Sequence, residues 1–357
     1  MENNTQKMSF NVIKPKDKYV PSFSEIARVG YDSVYYGNDN KFPQYLWGLY
    51  IKSPILASII NGTSDFIFGN GIEWNENLPI TTEYINDDGD NLDDLVKKLI
   101  VDYQIFGGFA LKVCRNSMGE ISDIYWMDFQ NVRINEESTI AYYFPKGLKN
   151  QNKKEEYPIF DEINQFMTSV YYFKGHLSRG YYPIPRYVGA LQAIETSIEI
   201  SKFHLNTIHN NFSGNFIINY NNADFTEEQK NEIQKGVADN FTGAENAGKF
   251  MLAFNTSKDN AVTVARIPED SFDAKYQALK ESTMKDIFVA FRAPQQLFGY
   301  TTEGTAFNTQ EFQEAFKLYN KTCVKPIQAD IKRVLCKIFN LDNCMNFITF
   351  NLEEGDK

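Results

Sequence analysis

The stretch from Tyr182 to Phe350 constrains the fold most. From Pro185 onward, Tyr187, Leu191, Ile194, Ile198, Leu205, Ile208 and Phe212 recur at three-to-four spacing, the period of a one-sided helix. Pro183 and Pro185 suit its start, where a missing N–H costs little, and Ser213-Gly214 stops it. About 26 residues give a rod of roughly 39 Å at 1.5 Å per residue. A small unit follows, with a strand over 215–220, a helix over 226–240 and strands over 250–254 and 262–267. A second rod over 271–292 carries Phe272, Tyr276, Leu279, Ile287, Phe288 and Phe291 on one side, and Ala293-Pro294 breaks it. The small polar segment from Tyr300 to Phe307 reads as a loop. Asn308, with Glu311 three residues later, caps a last helix through Phe312, Phe316, Tyr319, Cys323, Ile327, Ile331, Leu335 and Ile338. Pro326 inside it predicts a kink. Two helices that leave and re-enter a body around a small α/β unit suit a subunit of a ring with a walled channel. They suit an enzyme pocket poorly.

The N-terminal half is mixed. Residues 1–40 are polar, with Pro15 and Pro21, and predict an extended arm ordered against a neighbour. Residues 41–70 read as helical, through Leu46, Leu49, Tyr50, Ile55, Ile59, Ile60 and Phe66, until Gly69-Asn70-Gly71 ends the helix. A short strand over 72–74 follows. The Asn86-Asp87-Asp88-Gly89-Asp90 turn places aspartates before the positive end of a helix over 91–106. As a calcium loop its ligand positions do not line up. Residues 109–113 and 121–127 form a hairpin about the turn at 116–119. Residues 140–144 and 167–173 continue in β character, interrupted by an exposed charged loop over 149–156, and a strand over 346–351 closes the pattern.

Composition narrows the function classes. With 43% apolar residues, the 357-residue chain can build two or three packed units. The net charge of −10 is not that of a surface built to grip phosphates, where affinity comes from Lys and Arg displacing counterions. An acidic wall would instead keep passing DNA from sticking. The 29 Phe and 21 Tyr fit either aromatic interfaces or a Phe-rich core rimmed by Tyr. Cys114, Cys323, Cys336 and Cys344 show neither a CxxC pair nor zinc spacing. Cys323 and Cys336 fall in the helical apolar pattern as buried thiols, which implies a reducing compartment during folding. Residues 1–18 lack an apolar signal core, and no apolar run reaches membrane-spanning length, so no membrane partner is expected.

Little looks catalytic. Gly243-Ala-Glu-Asn-Ala-Gly248-Lys249 matches the phosphate-loop spacing, yet Phe250 stands where a magnesium-binding hydroxyl is needed. A helix precedes and a strand follows, the reverse of the order that points helix N–H groups at phosphate. We read it as a helix-to-strand turn. A nucleotide-binding enzyme using Gly243–Lys249 would bind nucleotide and lose it in Lys249→Ala. His204 and His209 are five apart, a poor metal spacing on one helix face, and His176 stands alone. Glu195 and Glu199 lie one turn apart, on a solvated or channel-facing side. Lys275, Lys280 and Lys285 recur every five residues and drift around their helix, with one or two able to face DNA phosphates. No catalytic residue, cofactor or metal site is predicted.

Four stretches, in this order, resemble the portal protein family of tailed double-stranded DNA phages. Gly107-Gly108-Phe109-Ala110, with the turn from Arg115 to Gly119 and Asp128, is similar to the family's G-x-A-x … G … D hairpin. His176-Leu177-Ser178 and Gly180-Tyr181-Tyr182-Pro183-Ile184-Pro185 resemble its H … G-x-x-P lead into a first stem helix. Phe241-Thr242-Gly243 with Asn246-Ala247-Gly248-Lys249 is similar to its G-x-x-N-A-G-K turn ahead of a strand. Residues from Ile287 to Gly299, with Phe291, Pro294 and Leu297, resemble I-A-x-x-F-x-V-P-P-x-L-L-G, with Ala293 and Gln295 in place of the common Val and second Pro.

The resemblance implies an α+β portal fold. Residues 1–40 would be an N-terminal arm, 41–184 and 309–345 the wing with a long kinked helix, and 185–212 and 271–296 the stem. Residues 213–270 would be the clip, 297–308 the tunnel loop, and 346–357 a C-terminal strand and tail. A helical crown would be absent or reduced. Portal proteins form a ring, commonly of twelve subunits, at one capsid vertex. DNA enters through it during packaging and leaves through it at ejection. Expected partners are further copies of the chain, the passing DNA, the terminase large subunit, a head-tail adaptor and the major capsid protein. Assembly would take place in the host bacterial cytoplasm, and the final location would be the virion. Thr301, Thr302, Glu303 and Thr305 would form the narrowest ring around DNA, with Lys280 and Lys285 facing the channel from the stem. Another phage neck or baseplate component, with other symmetry or no central channel, is the alternative reading.

Overall fold

The structure, a computed structural model, describes residues 23–26, 32–148, 153–163, 166–209, 216–221, 226, 228–229, 231–232, 235, 250–255, 263–266, 272–300 and 309–350. Packing divides the chain into two units, one of residues 1–20 and 195–283, the other of 21–194 and 284–357.

The larger unit begins with a short antiparallel pair, β1 (Glu25–Ile26) and β2 (Tyr35–Tyr36). Val34 and Tyr36 are fully buried, so this part of the expected arm packs on the chain's own body. The helical stretch predicted over 41–70 is two helices, α1 (Phe42–Lys52) and α2 (Pro54–Phe68). Pro54 has no N–H to continue α1, and the Ser53 hydroxyl accepts from Leu56 N–H to cap α2. After β3 (Ile72–Trp74) comes α3 (Leu92–Phe106), capped by the Asn91 side chain. Leu92, Leu95, Val96, Leu99, Ile100, Ile105 and Phe106 are essentially inaccessible, so α3 is the centre of the core.

The predicted hairpin is β4 (Gly108–Arg115) and β5 (Ile121–Met127). With β9 (Thr168–Lys174) they form an antiparallel sheet in the order β5-β4-β9. A second sheet runs β6-β7-β8, through β6 (Val132–Ile134), β7 (Ile140–Tyr143) and β8 (Glu155–Pro158). The structure corrects the end of the loop predicted over 149–156. Glu155 and Glu156 are exposed on an edge strand, where charge guards unpaired backbone and imitates a loop in the sequence. A bridge from Ile159 to Val170 links the end of β8 to β9.

The first long helix starts later than predicted. A turn at Val188–Ala190 precedes α4 (Leu191–His209), because Tyr187 is buried and its hydroxyl bonds the Ile105 carbonyl at 2.8 Å. In the smaller unit, β10 (Phe216–Asn221) is the middle strand, parallel to β11 (Phe250–Asn255) and antiparallel to β12 (Thr263–Arg266). A parallel pair requires a crossover, which residues 222–249 supply. The helix expected there lies largely outside the described residues. Phe203 of α4 stacks on Tyr276 at 4.9 Å.

The second rod is α5 (Phe272–Phe291). Beyond residue 308 run α6 (Thr309–Tyr319), a π-turn at Asn320–Val324 and α7 (Lys325–Phe339). The irregularity predicted from Pro326 therefore takes the form of a wide turn. Pro326 cannot donate to the carbonyl four residues back, and the Lys325 N–H reaches Asn320 O instead. The last strand, β13 (Met345–Phe347), pairs with β3 and is shorter than expected.

Candidate functional site

The four predicted loop residues, Thr301, Thr302, Glu303 and Thr305, and the capping Asn308 lie outside the described residues, but both roots of that loop are described. Before it, Phe298 and Tyr300 pack around Phe288, with ring centroids at 5.9 and 5.3 Å. After it, Phe316 and Tyr319 pack edge-on against Phe66 of α2. Phe298 meets both Phe66 and Tyr319 edge-on, at 6.0 and 5.9 Å. Gly62 makes room for this, since a Cβ there would sit 3.0 Å from the Phe298 ring. Tyr319 is buried, and its hydroxyl shares a 2.7 Å hydrogen bond with Thr63. One aromatic hub thus holds the entry and the exit of the loop.

The break after α5 also has a local cause. Arg292 adopts a left-handed conformation with φ 53°, and Ala293 N–H returns to Phe288 O before Pro294 ends the helix. A non-glycine residue there carries backbone strain, which sequence patterns do not flag. Lys285, Phe288, Val289, Arg292, Ala293, Pro294 and Gln295 line an open depression. Lys280 and Lys285 are both exposed and carry no ion pair among the described residues. Val289 is 74% exposed although apolar.

The lead into α4 is held by a buried polar knot. Gly107 caps α3 with φ 81°, and a Cβ there would lie 2.4 Å from Ile184 O. Gly180 admits the Glu25 carboxylate, which accepts from Tyr182 N–H at 2.7 Å. Tyr182 stacks on Tyr36 at 4.2 Å, and its hydroxyl donates to Val34 O. Arg133 is wholly buried and makes no ion pair among the described residues. It donates to Asn40 Oδ1 at 2.6 Å, and to Asn40 O, Gln130 O and Val132 O. Burial lowers the guanidinium pKa, and raises that of Tyr36. The glycines of the first two resembling stretches are therefore sites of close approach. Sequence reasoning missed Arg133, because an Arg within a three-residue strand looks solvent-facing.

Other titratable groups are structural. Asp102 is buried and accepts from Trp126 Nε1 at 2.7 Å, and its pKa is raised by burial first, with Asp128 adding to it. Tyr103 donates to Asp330 at 2.7 Å, tying α3 to α7. Glu199 pairs with Lys202 at 3.2 Å. His204 packs edge-on against Tyr276. Cys323, Cys336 and Cys344 are buried free thiols. No group of three or more metal-binding side chains occurs among the described residues. Residues 243–249 lie outside them; β11 begins at Phe250, the next residue.

The sequence-family model described as "Phage portal protein" matches residues 88–356. A probable portal protein of Haemophilus phage HP1 is 21% identical over 232 residues, covering 64% of each chain. An uncharacterized protein of Rickettsia bellii is 27% identical over 138 residues, 38% of this chain and 34% of that one. The chain thus matches about a third of one curated relative and under two thirds of the other. Among solved structures, the neck of an empty GTA particle computed with C6 symmetry gives a TM-score of 0.59 at 15% identity, covering 87% of this chain and 85% of that one. An HK97-family phage portal protein from Corynebacterium diphtheriae gives 0.52 at 13% identity, covering 86% and 95%. At these identities the structures speak for the fold alone, and the family match rests on the sequence, whose order of motifs it spans. The chain belongs to the phage portal protein family.

Proposed function

We propose that this chain is the subunit of a portal ring at one capsid vertex, through which double-stranded DNA is packaged and ejected. The family match over 88–356 carries the reading. A hub that clamps both roots of the loop at 301–308 supports it, since a loop lining a channel needs fixed roots under load. Thr301, Thr302, Glu303 and Thr305 then form the constriction, where small polar groups touch phosphate without gripping it. Lys280 and Lys285 are five residues apart, about 140° around a helix of 3.6 residues per turn. Both are assigned to the channel side of the stem, at different angles around it. The clip at 213–270 meets the terminase large subunit and later the head-tail adaptor, and the wing faces the major capsid protein. Hydrolysis belongs to the motor, so the portal acts as a structural channel with no cofactor.

Negative-stain electron microscopy of the purified chain tests this reading. Rings of about twelve subunits with an open centre are expected. A monomer at every salt concentration, or one that binds ATP through Lys249, would overturn it.

A further inference from the structure

The C-terminal half of α5 and the exposed side of α6 carry complementary features that the fold leaves unanswered. On α5 Asp286 and Val289 are exposed, as is Arg292 one residue past its end, and on α6 and the turn after it so are Glu314, Leu318 and Lys321. Val289 and Leu318 are 74% and 63% exposed, large values for apolar groups on ordered helices. None of the four charged residues has an ion-pair partner among the described residues. The charge order is minus, apolar, plus along α5, and minus, apolar, plus along α6. Laid antiparallel with Val289 against Leu318, Arg292 comes opposite Glu314 and Asp286 opposite Lys321. Asp286 to Val289 and Glu314 to Leu318 are about one helical turn apart, and Arg292 follows directly on the end of α5.

We infer that this is a side-to-side contact between copies of the chain: the C-terminal half of α5 in one subunit packs antiparallel on α6 of the next. A ring needs two different patches that fit each other, and these two match in both charge and apolar position. DNA is the poorer occupant, because an apolar Val289 at the centre of the stripe offers nothing to phosphate. The inference rests on the ring reading and adds the surface that closes the ring.

A Val289→Cys/Leu318→Cys chain, oxidised after assembly, tests it together with charge reversal. The expected result is a ladder of covalent oligomers on non-reducing gels, absent from either single variant. Arg292→Glu and Glu314→Arg should each shift the chain from rings toward monomers by native mass spectrometry, and their combination should restore rings. These positions are exposed, so circular dichroism should be unchanged. If the wild-type chain forms no rings, the portal reading itself fails. If rings form but neither the ladder nor the rescue appears, this contact is wrong. Intact Arg292→Glu rings that retain less DNA would reassign the stripe to the channel.

Discussion

The core around α3 and the surface shared by α5 and α6 treat their unusual residues in opposite ways. In the core, Arg133 and Asp102 are charged-type side chains out of water, and each is met by hydrogen-bonding groups: carbonyls and Asn40 around Arg133, Trp126 at Asp102. α7 turns Ile327, Ile331, Val334, Leu335 and Ile338 inward, and all are buried. At the other surface, Asp286, Val289 and Arg292 are exposed, and the two charges have no ion-pair partner among the described residues. A chain that surrounds Arg133 and Asp102 with partners in one region leaves a patterned face open in another because something outside the subunit covers it. The core determines whether the subunit folds, and the open face determines what it joins.

The sharpest break of that contrast is in α7. Leu335→Ala should destabilise the subunit by about 2–5 kcal/mol, the range for a buried Leu cavity. Urea denaturation of the monomer measures this, and a loss under about 0.5 kcal/mol would mean that α7 is not core. Arg133→Ala comes next. It removes the donors for Asn40 Oδ1 and three backbone carbonyls, of which Val132 O is fully buried, and about 1–3 kcal/mol is expected from a buried acceptor left unpaired. Proteolysis should then cut near residues 23–40, which the knot holds, before the rest of the chain.

Gly107→Ala should cost somewhat less, roughly 1–3 kcal/mol, from a strained left-handed conformation and the approach of Ile184 O. Asp102→Asn should run the other way. Burial raises the Asp102 pKa in the folded state, so its contribution is full below the unfolded value of about 3.9 and is lost as pH climbs toward the folded value. Wild-type stability should therefore fall across that window by up to about 1.4 kcal/mol per pH unit from this group. The Asn variant, which still accepts from Trp126, should be flatter and more stable at pH 7. A steeper profile in the variant would refute the assignment. The smallest effect on folding belongs to Val289→Ser, within about 0.5 kcal/mol for the isolated subunit, while ring formation suffers. If instead the monomer loses stability and rings persist, Val289 belongs to the core side of α5 after all.

Much of the element pattern was legible because it is local. The N-cap of α3 at Asn91, the β4–β5 hairpin, the stop of α2 at Gly69 and the break at Ala293-Pro294 all follow from a few adjacent residues. The order of four weak glycine and proline signals was enough to point to the family, since close backbone approach leaves a residue-type signature. The misplaced boundaries have local competitors: Pro54 splits a helix whose apolar period runs on, and buried Tyr187 delays α4.

By itself, then, the sequence determined most of the described helices and strands, their order and the portal family. Only the tertiary structure decided that Arg133 is buried, that Tyr36 stacks on Tyr182, and that Phe66, Phe298, Phe316 and Tyr319 form one hub. The reason is physical. Periodicity and capping are set by residues within one turn of each other, whereas these contacts join residues far apart in the chain, whose pairing depends on which surfaces the whole fold removes from water.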